Sequence, residues 1–175
     1  MTVVDNPVFG IIAGSWSHLA VFGWQAAAGS TLNVSGSGFA GIGIAGSSLT
    51  LFSNTVVTAS GNGVGLLLAA GGSAGAPLGQ ATFILHNNGV GMNAFAASST
   101  YLVAGLNVHD NGIGVLADDA SLYLEAAEGL PASIAANGID VQLSFGTRST
   151  IENVSVATPL VCEPTVLSRG TTKCP

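Results

Sequence analysis

The sequence predicts an all-β protein, a β-solenoid. Three observations carry the prediction: an Asn-Gly-x-Gly motif that returns every twenty-odd residues, β-branched residues between glycine-rich turns, and no Asp, Glu, Lys or Arg from Asn6 to His109. The chain has 175 residues, enough for one domain with a sizeable core. It is 48% hydrophobic and only 7% charged. Disorder is thereby excluded, because it needs low hydrophobicity and many charges.

The repeat fixes the architecture. Asn62-Gly-Val-Gly-Leu66, Asn88-Gly-Val-Gly-Met92, Asn111-Gly-Ile-Gly-Val115 and Asn137-Gly-Ile-Asp-Val141 align, with Ala40-Gly-Ile-Gly-Ile44 as a fifth copy lacking the Asn. Glycines at 41, 63, 89, 112 and 138 are spaced by 22, 26, 23 and 26 residues. Helical repeats are longer, and a leucine-rich repeat would set leucines at fixed offsets. A coil of 22–26 residues holds three short strands and three turns, and coils stack at about 4.8 Å. Side chains one period apart then form columns, so Asn62, Asn88, Asn111 and Asn137 are expected to make a structural ladder of hydrogen-bonded amides. Ala69–Gly79 reads as a turn insertion. Three regions follow: an N-terminal cap or incomplete coils over 1–35, repeats over 36–158, and a tail over 159–175.

That tail holds the only cysteines, Cys162 and Cys174, flanking a polar loop. They read as a disulfide of roughly 2–3 kcal/mol, or as two free thiols; without nearby His they make a poor zinc site. A disulfide points to an oxidising compartment, hence a secreted or cell-surface location. Met1–Gly10 has no cation and so no secretory signal, which suggests that Met1 is not the start of the full gene product.

The Asn-Gly-x-Gly repeats of residues 40–141 resemble those of right-handed parallel β-helix proteins of the pectin-lyase-like superfamily, and the tail is similar to the C-terminus of uncharacterised secreted bacterial members. The resemblance implies a right-handed parallel β-helix with a groove along one outer strand face. A polysaccharide or a protein is the expected class of partner.

Alternation after each Asn-Gly places Val64, Leu66 and Leu68, with Val90, Ile113, Ile139 and their alternates, inward. Gly65 and Leu67, Gly91 and Asn93, Gly114 and Leu116, and Asp140 and Gln142 face outward, which makes Leu67, Asn93, Leu116 and Gln142 the candidate binding positions. Polysaccharide cleavage needs paired carboxylates, or a base with cations or calcium. Asp140 alone on that face supplies neither. His86 and His109 each precede a ladder Asn by two residues, so they are expected to stack, with Asn87 and Asp110 beside them. Such a pair is either a site for metal or proton transfer or a solvated turn, and the turn is favoured because the neighbouring coils carry Ser60 and Ala135. His86, His109, Asp110 and Asp140 are the weak catalytic candidates.

Other matches carry less. Gly71-Gly-Ser-Ala-Gly75 and Gly36-Ser-Gly-Phe-Ala-Gly41 lack the helix that their motifs require. Asn33-Val-Ser and Asn153-Val-Ser are glycosylation sequons by spelling. Asp118-Asp119, with Glu125 and Glu128, reads as a solvated turn, so calcium is unsupported and no metal or other cofactor is expected. Trp16, Phe22 and Trp24 read as a plug for the N-terminal end or as a carbohydrate platform. His18 has no role.

With three cations and a net charge of −6, nucleic acid is excluded as a partner, and no segment is long enough for a membrane span. The favoured reading is a non-catalytic module of a secreted or surface protein, structural or binding carbohydrate or protein, with self-association open to so apolar a rod. The alternative is an enzyme acting on acidic polysaccharide, a lyase or a glycoside hydrolase. Ice binding ranks last, because Thr50, Thr55, Thr58 and Thr82 share no repeat offset.

Overall fold

A computed structural model describes residues 1–21, 29–52, 54–76, 80–157, 160–172 and 174. The protein is a parallel β-solenoid, and no helix occurs among the described residues. Levels follow one another along the axis. The first is β1 (Thr2–Val4), β2 (Phe9–Gly14) and β3 (His18–Val21), and the second is β4 (Ser30–Ser35), β5 (Ala40–Ala45) and β6 (Ser48–Leu51). Next come β7 (Thr55–Ser60), β8 (Val64–Ala69) and β9 (Ser73–Ala76), then β10 (Thr82–His86) and β11 (Val90–Phe95). The long β12 (Ser99–His109) closes that level and opens another, continued by β13 (Ile113–Asp118) and β14 (Ser121–Ala126). The last levels are β15 (Ala132–Ile134), β16 (Ile139–Ser144) and β17 (Arg148–Glu152), and β18 (Ser155–Val156), β19 (Leu160–Cys162) and β20 (Leu167–Gly170). Strand pairing therefore runs through both terminal regions.

Every pair of these strands is parallel, so the solenoid has three outer faces. The seven-stranded sheet β2–β5–β8–β11–β13–β16–β19 forms one of them. A second is carried by β1, β4, β7, β10, β15, β18 and the C-terminal half of β12, and a third by β3, β6, β9, β14, β17, β20 and the N-terminal half of β12. The inward residues stack into one continuous core, in which Phe83, Leu66, Leu68, Met92, Leu102 and Leu124 are fully buried. Parallel strands a level apart bury like on like, which is why aliphatic residues recur at each inward position.

The asparagine ladder forms as the repeat predicts. Asn62 Nδ2 donates to Asn88 Oδ1 at 3.0 Å, Asn88 Nδ2 to Asn111 Oδ1 at 3.1 Å, and Asn111 Nδ2 to Asn137 Oδ1 at 2.9 Å. The amide oxygens of Asn88, Asn111 and Asn137 also accept the backbone N–H of the Asn one level earlier, and each Nδ2 reaches a strand carbonyl, so these buried turns keep their polar groups satisfied. The glycine after each Asn is equally constrained. A Cβ on Gly89 would sit 2.7 Å from the carbonyl oxygen of Gly63, and one on Gly112 would sit 2.7 Å from that of Gly89.

Four expectations need correction. The fifth repeat copy is shifted by two residues: Ala40 pairs with Val64, so Ser37-Gly38 stands at the Asn-Gly position, with Phe39 as an extra residue. The Ser37 N–H accordingly donates to Asn62 Oδ1 at 2.9 Å. Ser73–Ala76, expected in a turn insertion, is the regular strand β9. The pairing offset falls from 26 (Ser73 to Ser99) to 23 (Thr82 to Gly105), so the insertion amounts to three residues between these strands.

The inward assignment of Val64, Val90, Ile113 and Ile139 also fails. Val64 packs with Ala40 and Leu67, against Phe9 and Val90, in a second cluster separate from the main core, and Ile113 and Ile139 are half-buried. The reason is the glycine between each of these residues and the next inward one. Pairing passes over Gly65, Gly91 and Gly114, which are buried and not outward, because each faces the next level's asparagine. A Cβ on Gly91 would lie 2.6 Å from Gly114 O and 3.0 Å from Asn111 Nδ2. Alternation slips by one residue there. Finally, Trp16 is 98% exposed, which excludes it from a plug but not from a platform, whereas Phe22 and Trp24 lie outside the described residues.

Candidate functional site

Three clusters bear on function, and the first removes a candidate. Asp140 occupies the position of Gly65, Gly91 and Gly114, yet it does not face outward: it is fully buried. Its Oδ1 accepts from Asn137 Nδ2 at 2.9 Å and from the Asn137 N–H at 3.2 Å, while Oδ2 accepts from the Ala157 N–H at 3.1 Å. The cause is a shortened coil. The pairing offset is 22 from Ile134 to Val156 but only 19 from Val141 to Leu160, so three residues are missing where the next ladder Asn would stand. With no asparagine below, the glycine is not needed, and a carboxylate in its place completes the amide ladder.

His86 and His109 pair directly across β10 and β12, and their rings stack at 5.2 Å with an interplanar angle of 3°. Asn87 Nδ2 lies 2.8 Å from His86 Nδ1, and Asp110 Oδ2 lies 2.7 Å from His109 Nδ1. Asn87 and Asp110 have φ of 54° and 55°, the left-handed turn conformation that Asn and Asp tolerate best. The His109 and Asp110 side chains are 32% and 57% exposed, so water screens the pair. No group of three or more His, Cys, Asp or Glu is placed to hold a metal among the described residues. Asp140, buried in the ladder turn, does not join the histidines on this face. Of the four catalytic candidates, then, the structure brings together three.

Leu67, Asn93, Leu116 and Gln142 form one column on the outer side of the seven-stranded sheet, continued by Ile12, Gly43 and Val161. Asn93, Leu116 and Gln142 are half-buried, whereas Leu67 is covered within the small outer cluster. This face is flat and mainly aliphatic.

The third cluster was not singled out from the sequence. On the face formed by β12, β14, β17 and β20, Tyr101, Tyr123, Thr150 and Arg169 make one column, and Ser99, Ser121, Arg148 and Leu167 make the next. The Tyr101 and Tyr123 rings stack at 4.9 Å and 20°. Tyr123, Thr150, Arg148 and Arg169 line a pocket of about 330 Å³. The Tyr123 hydroxyl donates to Glu125 Oε2 at 2.6 Å, and this hydrogen bond is the main reason its pKa rises to about 12. Glu125 pairs in register with Glu152 beside them. The sequence signal for this column is Ser-Thr-Tyr-Leu102 and Ser-Leu-Tyr-Leu124, which recur 22 residues apart.

No protein family matches the chain, and neither does any curated protein or solved structure. The geometry of these clusters therefore carries the functional argument.

The disulfide does form, between Cys162 in β19 and Cys174, with a Cα–Cα separation of 5.9 Å. Both cysteines pack against the end of the main core with Val166. The expected loss of the staple on reduction is about 3 kcal/mol for a loop of this length.

Proposed function

We propose that the chain is a non-catalytic β-solenoid module of a secreted or cell-surface protein, and that it binds carbohydrate on the face carrying Tyr101 and Tyr123. The observation that carries the reading is the tyrosine stack, exposed at Tyr101 and half-buried at Tyr123, beside a pocket lined by serine, threonine and arginine side chains together with Leu122 and Leu167. Sugar rings offer an apolar face to an aromatic ring and hydroxyls to polar neighbours, and this face provides both. The disulfide supports an oxidising compartment. The periodic coil supports kinship with right-handed parallel β-helix proteins of the pectin-lyase-like superfamily. The aliphatic face with Leu67, Asn93, Leu116 and Gln142 suits packing against protein, including a second copy. The reading needs no calcium or other cofactor.

The enzyme alternative would rest on His86, His109 and Asp110, since Asp140 is committed to the ladder turn. A glycan array probed with the full chain, paired with a product assay on uronate polymers, separates the two. Binding that falls at least tenfold in Tyr123→Ala, without product release, supports the module. Cleavage that disappears in His86→Ala or His109→Ala overturns it.

A further inference from the structure

The tyrosine column stops one ring short of the pocket. Tyr101 covers one face of Tyr123, and the next residue in the column is Thr150, whose side chain is too small to cover the other. The pocket of about 330 Å³ opens at this step. Its volume lies at the small end of ligand sites, which fits one ring and not an extended chain.

Charge narrows the choice of ring. The chain carries only three cations against nine carboxylates, and two of those cations, Arg148 and Arg169, line this pocket. Both are exposed, and among the described residues neither guanidinium group makes a hydrogen bond or ion pair. The nearby carboxylates are already engaged: Glu125 accepts from Tyr123, and Glu152 Oε2 accepts the Thr171 N–H at 3.0 Å. Guanidinium groups recognise carboxylates through paired N–H donors, more strongly than they recognise hydroxyls.

We propose, building on the carbohydrate-binding reading, that this pocket takes a single sugar unit bearing one carboxylate. Its ring continues the stack over Thr150 against the open face of Tyr123, and its carboxylate meets Arg148 and Arg169. The site is selective against polyanions. Glu125 and Glu152 flank it, and the net charge of −6 repels a densely charged chain.

The test uses the full chain in calorimetric titrations with three probes that share one ring: a methyl glucuronoside, its methyl ester and a methyl glucoside. The glucuronoside should bind at least tenfold tighter than the other two. Arg148→Gln and Arg169→Gln should each remove that preference, so that the glucuronoside binds no tighter than the glucoside, and Thr150→Phe should abolish binding of all three by filling the gap. Thermal melts check that each variant is folded. Equal binding of the three probes, a preference that survives in both Arg variants, or no binding of the glucuronoside overturns the carboxylate site. Sugar binding that survives Tyr123→Ala instead overturns the broader reading of this face.

Discussion

The buried asparagine column and the half-exposed histidine pair arise from one rule: like side chains a period apart stack across parallel strands. Their environments make them opposites. Asn62, Asn88, Asn111 and Asn137 are 4–9% exposed, and the amides of the first three exchange hydrogen bonds with the levels on both sides, while that of Asn137 bonds to the level before it and to Asp140. His86 and His109 stand only two residues away from ladder positions, yet each ring pairs with its own chain neighbour at the surface. A repeat thus selects residues for stability where water is excluded. On the outer face the same geometry offers a stack but no comparable energetic reason to keep it.

The largest effect expected from this contrast is at Asn111. Its Oδ1 accepts from both Asn88 N and Asn88 Nδ2, and its Nδ2 donates to Leu85 O. Asn111→Ala leaves the buried Asn88 N–H and the Leu85 carbonyl without those partners, a loss of about 3 kcal/mol from orphaned groups alone. Chemical denaturation should show a lower midpoint with an unchanged slope. An unchanged midpoint would break the comparison at its buried end.

The ladder's end sharpens it. Asp140 uses one oxygen for Asn137 and the other for the Ala157 N–H. Asp140→Ala removes both acceptors and should cost about 2–3 kcal/mol. Asp140→Asn keeps the oxygen toward Asn137 but turns an amide donor toward Ala157, so about 1–2 kcal/mol is expected. Thermal melts of the two variants measure the order, and equal losses would show that only one oxygen matters.

These residues also mark how far the sequence could be read. The coil, the asparagine ladder and the histidine stack follow from spacing, because period alone places residues in columns. Burial does not follow so simply. The glycines at 65, 91 and 114 make alternation slip, so Val64 and Ile113 leave the main core. Asp140 aligns with those glycines, but its buried role depends on a coil shortened by three residues some twenty positions later. Tyr101, Tyr123, Arg148 and Arg169 converge only once the register of the third strand in each coil is known. Their coils are separated by insertions of unequal length, which a search for a constant period passes over.

The smallest effect is expected at the histidines, and its smallness is the point. His86→Ala and His109→Ala remove a stacked contact and one surface hydrogen bond each, while Asn88 and Asn111 keep their own partners. Exposed pairs of this kind contribute between nothing and about 1 kcal/mol, and each variant should fall within about 0.5 kcal/mol of the parent in denaturation. The double variant should match the sum of the singles, since a stack with no energetic role has no coupling to lose. A coupling of about 1 kcal/mol or more would place the histidine pair with the buried ladder, and the distinction between the two columns would collapse.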